Sequence, residues 1–185
     1  MKTIIVSDIF GKTEALEEIA LRLCEPTLIF EPYDGEMMNF QSESDAYSYF
    51  SSNVGIDKYS DKLCCFIKPL SEPLRIIGFS AGASAIWKIS EREELSKVSN
   101  AIGFYGSQIR YYTNINPKFP IKLIFPANEK HFSVSDLIAT IRGKGMVKIE
   151  QSEFLHGFMN VNSQNYEKVA YNKYIKILSK VSTRV

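Results

Sequence analysis

The sequence predicts an α/β fold, a mostly parallel sheet of about six strands with helices on both faces. Short apolar runs rich in β-branched and aromatic residues recur along the chain. Most of them are continuous rather than alternating, which is the pattern of strands buried on both faces. The segments between them carry apolar residues at helical spacing on one side only. Composition agrees: 45% of the 185 residues are hydrophobic and 23% charged, enough for one packed domain, 1–185, and short for two.

The first strand is residues 3–6, followed by a helix with Leu16, Ile19, Ala20 and Leu23 on one face. Residues 27–30 form the second strand. The densest polar stretch, 41–45, reads as loop. Ile56, Tyr59, Leu63, Phe66 and Ile67 mark the next helix, residues 74–79 the third strand, and the small residues Ala81, Ala83 and Ala85 open a helix behind it. Strands at 101–105 and 121–125 follow. The stripe Val134, Leu137, Ile138 and Ile141 stops at Gly143, and the last strand is 146–149. Tyr166, Ala170, Tyr174, Ile177, Leu178 and Val181 form one stripe of a final helix whose lysines, Lys168, Lys173, Lys176 and Lys180, lie elsewhere around it. Strands alternating with helices imply right-handed crossovers and ligand sites at the carboxyl ends of the strands.

Charge and cysteine usage narrow the function. Twenty-two Lys and Arg against 21 Asp and Glu give a formal charge of +1, without the basic field that a nucleic-acid binder needs. A small molecule is the expected partner. Three cysteines, Cys24 and the adjacent Cys64 and Cys65, make neither a disulfide framework nor a metal knuckle, which fits a reducing compartment. The apolar run before Asp8 is too short for a signal peptide or a membrane span, so a cytoplasmic protein without membrane contact is expected.

The chemistry is carried by Gly78-Phe79-Ser80-Ala81-Gly82, a G-x-S-x-G segment between a strand and a helix. In that context the serine sits on a strained elbow at the strand end, and the two glycines allow strand and helix to approach closely. An ordinary glycine-rich turn with Ser80 capping the helix is the alternative. A serine hydroxyl needs a base, which in this chain order lies further along. Of the two histidines, His156 follows the last strand and precedes the last helix, whereas His131 opens a helix and reads as structural or pocket-lining. The third member of a triad is expected after strand 121–125, where Glu129 is the nearest carboxylate and Asp136, inside the following helix, its competitor. The backbone N–H of Ala81 would help to hold an oxyanion.

These landmarks carry a family resemblance. Ser7-Asp8-Ile9-Phe10-Gly11 with the helix after it, the elbow, the segment Ala101-Ile102-Gly103-Phe104-Tyr105-Gly106, the pair His131-Phe132, and His156-Gly157-Phe158 resemble, in the same order, those of dienelactone hydrolases. The resemblance implies a compact α/β-hydrolase fold. It also implies a second oxyanion donor in the Ile9 N–H, a nucleophile-side role for Asp8 and a pocket or core position for Phe10. Ser80 stands where that family has a cysteine, Ala83 replaces one of its paired glycines, Asp8 replaces a glutamate, and Lys130 occupies the usual place of the acid. The chain also has a short segment between Phe30 and Ile56, which implies a reduced rim over the pocket. The expected activity is hydrolysis of a small ester or related acyl bond through an acyl-enzyme, with no metal or organic cofactor. A binding or scaffold protein that has lost turnover, and an acyltransferase, are the competing readings.

Overall fold

The computed structural model describes residues 1–180 apart from Cys24, so the cysteine and stripe assignments made for Cys24 and Val181 lie outside the described residues. Six parallel strands, β1 (Lys2–Val6), β2 (Thr27–Phe30), β3 (Leu74–Phe79), β4 (Val98–Phe104), β5 (Ile121–Phe125) and β6 (Val147–Gln151), form one sheet in the order β2-β1-β3-β4-β5-β6. The chain reverses direction across the sheet after β2, so the carboxyl ends of β1 and β3 flank the switch point where such sheets place ligands.

β3 explains why its run is continuous: all six of its residues are buried, and they alternate between two cores. Leu74 and Ile76 face one core with α3 (Gly55–Ile67), α4 (Ala81–Ile89) and α5 (Val134–Ile141). Ile77 and Phe79 face the other with α1 (Glu14–Arg22) and α6 (Lys168–Lys180). Arg75 shares that second face, fully buried, paired with Glu25 at 3.2 Å and donating to the Leu178 carbonyl at 2.9 Å. The central strand is thereby tied to the end of the last helix.

Two expectations are corrected. The polar stretch 41–45 is not all loop: Ser42 caps α2 (Glu43–Asn53), its Oγ accepting the Asp45 N–H at 3.0 Å. Only Ala46 and Phe50 of α2 are buried, so its apolar stripe is too thin to read from the sequence. The stripe of α6 is also rotated. Tyr171 and Ile175 are buried, Ile177 is exposed, and Tyr166 precedes the helix. Cys64 is buried and Cys65 exposed, both as free thiols. No helix among the described residues is long and apolar enough to cross a membrane.

Candidate active site

The elbow has the geometry its sequence demands. Ser80 sits at φ 48°, ψ −108°, a backbone conformation that costs a non-glycine residue on the order of 1–3 kcal/mol. It is held between β3 and α4 by its N–H to the Phe104 carbonyl at 2.9 Å and by the Ser84 N–H to its own carbonyl at 3.0 Å. A Cβ on Gly82 would collide with the carbonyl oxygens of Val6 and Ser7, and one on Gly78 would lie 2.8 Å from the Ala83 nitrogen. The glycines therefore let α4 rest directly on the end of β1. That contact brings the loop carrying Ile9 beside the elbow.

His156 reaches Ser80 from the loop after β6. Its Nε2 lies 2.9 Å from Ser80 Oγ, and its Nδ1 lies 2.7 Å from Glu129 Oε1. Glu129 comes from the loop after β5, which is stitched to the histidine loop by the Ala127 N–H to the Phe154 carbonyl at 2.8 Å. Lys130 is exposed and turned outward, so the acid position one residue earlier is the inward one. His131 and Asp136 are both exposed; Asp136 sits in the first turn of α5 and neither hydrogen-bonds to His156. The hydroxyl, imidazole and carboxylate thus form one continuous chain, able to pass a proton from oxygen to nitrogen while the carboxylate steadies the resulting cation.

The loop after β1 is pinned at nearly every peptide. The Asp8 carbonyl accepts from the Gly11 N–H at 3.2 Å and from Ser7 Oγ at 3.0 Å. The Ile9 carbonyl accepts from the Tyr33 hydroxyl at 2.6 Å, and the Phe10 N–H donates to Asp8 Oδ1 at 2.9 Å. Among the described residues the N–H groups of Ile9 and Ala81 donate to no protein acceptor. Both are free to meet an oxygen, and the positive end of α4 favours a negative one there. Phe10 contributes its backbone; its ring is buried in the core with Ile9 and Tyr33.

Asp8 does not hydrogen-bond to Ser80. Its Oδ2 accepts from Asn160 Nδ2 at 2.6 Å. Burial pushes the Asp8 carboxyl up to about 6, against the opposing pull of the Phe10 and Asn160 N–H groups and of His156. Together with Thr13, Phe79, Tyr105 and Asn160 it lines a narrow cleft beside the elbow. The centroid of the buried Tyr105 ring lies 4.9 Å from that of the His156 ring, so the two rings pack against each other. Sequence reasoning missed Asn160 and Tyr33. Asn160 lies in an amide-rich stretch with Asn162, Gln164 and Asn165, where nothing distinguishes it, and Tyr33 acts only because its loop folds back over β1. Among the described residues no group of His, Cys, Asp and Glu side chains is arranged to hold a metal ion.

A strand–elbow–helix with a histidine and an acid on later strand ends, in a sheet of this order, defines an α/β-hydrolase fold. A candidate dienelactone hydrolase from Klebsiella pneumoniae superposes with a TM-score of 0.77 at 16% identity, over 99% of this chain and 87% of that one. Mouse alpha/beta hydrolase domain-containing protein 10 superposes at 0.66 and 11% identity, over 98% and 89%. The chain belongs to the same family as the uncharacterized protein YczH of Bacillus subtilis, with which it shares 30% identity over 148 residues, 78% of this chain and 72% of that protein. No protein-family model matches it.

Proposed function

We propose that this protein is a serine hydrolase that cleaves a small ester or related acyl bond through an acyl-enzyme. The observation that carries the reading is the unbroken chain from Ser80 Oγ through His156 to Glu129, at 2.9 and 2.7 Å. Ser80 Oγ attacks the acyl carbon as its proton passes to His156 Nε2. Glu129 accepts from Nδ1–H, fixing the tautomer and steadying the imidazolium. The N–H groups of Ile9 and Ala81 take the negative charge that develops on the carbonyl oxygen. Collapse of the tetrahedral intermediate breaks the bond to the leaving group, which departs with the proton from Nε2. Water then repeats the sequence, releasing the carboxylic acid and restoring Ser80. The hydrolase, lipase-esterase and thioesterase names among the similar folds support this chemistry.

Intact-mass spectrometry after treatment with a fluorophosphonate tests the assignment. One adduct per chain is expected, lost in Ser80→Ala and strongly slowed in His156→Ala. An unlabelled wild-type protein, or equal labelling of Ser80→Ala, would overturn it. Turnover of p-nitrophenyl esters of increasing chain length then separates small from long acyl groups, and dependence on an added acceptor would reveal an acyltransferase.

A further inference from the structure

Two loops must agree for the proposed reaction: residues 7–11, which offer the Ile9 N–H, and residues 155–163, which carry His156. Among the described residues one hydrogen bond joins them, from Asn160 Nδ2 to Asp8 Oδ2 at 2.6 Å, across 152 residues of sequence. Each partner is otherwise committed to its own loop. The second carboxylate oxygen of Asp8 accepts from the Phe10 N–H at 2.9 Å, which orients the peptide next to Ile9. The amide oxygen of Asn160 accepts from the Asn162 N–H at 2.8 Å, so its nitrogen is the atom left to face Asp8. The Asn160 N–H donates to the Gly157 carbonyl at 2.8 Å, and its carbonyl accepts from the Ser163 N–H at 3.0 Å, closing the turn that begins beside His156. Gly157 makes this turn possible at φ +87°, where a Cβ would press on Ser163.

We propose that Asn160 and Asp8 are a positioning pair that sets the His156 imidazole against the Ile9 N–H, a role that rests on the serine-hydrolase reading. The two groups must converge on one tetrahedral centre with a tolerance of roughly half an ångström, so a single link between their loops governs the rate of acyl transfer. The link is strongest while Asp8 is ionised, because protonation leaves the carboxyl one good acceptor oxygen for the two N–H donors that face it. The other titratable groups around Asp8 are His156 from the base loop, Glu43 from α2, and the neutral phenols of Tyr33, Tyr59 and Tyr105. The acid limb of acyl transfer in the wild type therefore includes the ionisation of Asp8.

The test is the rate of fluorophosphonate labelling of Ser80, followed with pH. Asn160→Ala is expected to slow labelling about tenfold or more, and Asn160→Asp further, since it sets two carboxylates face to face. The exchange Asp8→Asn with Asn160→Asp keeps every hydrogen bond, only reversing the donor, and is expected to restore most of the rate. It also keeps the test readable should a single change impair folding. In Asp8→Asn the part of the acid limb that Asp8 contributes should be lost, leaving a shallower fall than in the wild type. Wild-type labelling rates in the single variants, or an exchange no faster than the slower single variant, would overturn the pair while leaving the serine assignment intact. A wild-type protein that is not labelled overturns both.

Discussion

His156 Nδ1 lies 2.7 Å from Glu129 Oε1 although the two stand 27 positions apart, with all of α5 and β6 between them. The contact follows from register. β5 and β6 pair in parallel to their last residues, Phe125 opposite Gln151, so the loops that continue them leave side by side. The two side chains are 22% and 14% exposed, shielded enough for the pair to matter and wet enough to temper it. Replacing the acid by its amide in a Ser-His-Asp enzyme costs about 10⁴ in turnover. Glu129→Gln is expected to lose about 10² to 10⁴ in kcat, measured by steady-state kinetics, with Asp136→Asn and His131→Ala within about twofold of the wild type. Retained turnover in Glu129→Gln would rule it out as the acid of the proposed triad.

The strain at Ser80 gives a stability signature. With φ at 48°, glycine fits the position better than serine. Ser80→Gly is expected to raise stability by about 1 kcal/mol, net of the added freedom of the unfolded chain, while abolishing labelling. Ser80→Ala should abolish labelling with no such gain. Urea unfolding of the two variants checks this; equal midpoints would argue that the elbow is unstrained.

Tyr33 holds the Ile9 carbonyl at 2.6 Å from beneath the loop. In Tyr33→Phe that buried carbonyl loses its partner, at a cost of about 1–3 kcal/mol, and the neighbouring N–H loses its fixed direction. A fall in kcat of roughly tenfold with KM little changed is expected, because the interaction matters most when the oxyanion forms. A rise in KM at constant kcat would place Tyr33 in substrate binding instead.

Asp8 makes stability depend on pH. Its carboxyl titrates at about 6 in the folded protein against 3.8 in the unfolded chain, chiefly because burial disfavours the charged form. The folded state therefore prefers Asp8 neutral. The stability this lends is complete below about pH 4 and lost as pH rises through about 6. At roughly 1.4 kcal/mol per unit, the upper bound on the change is on the order of 3 kcal/mol. The stability of the wild type minus that of Asp8→Asn should fall by that order between about pH 4 and pH 7.5 in urea titrations. A flat difference would show that Asp8 is not desolvated.

How much of this could be read in advance depended on whether the signal was local. The strands were legible because both faces of a central strand such as Leu74–Phe79 are buried, leaving no polar residue to blur the run. The elbow was legible because a strained turn against a neighbouring strand restricts residue type at Gly78 and Gly82. α2 was not, since two buried side chains do not make a stripe. Asn160 and Tyr33 were not either. Their meaning lies in partners on β1's loop, brought near only by the folded sheet.

β6 forms a margin of the sheet, paired among the described residues to β5 alone, and its five residues are half-buried or exposed. The imidazole hangs from the loop that follows it. Fraying of that margin would unseat His156 while Ser80, on the innermost part of the sheet, stayed where it is. Under the proposed reaction, competence is thus coupled to a weakly protected strand and not to the whole molecule, so warming or mild denaturant is expected to silence labelling of Ser80 before the secondary structure melts, and reannealing of one strand to restore it.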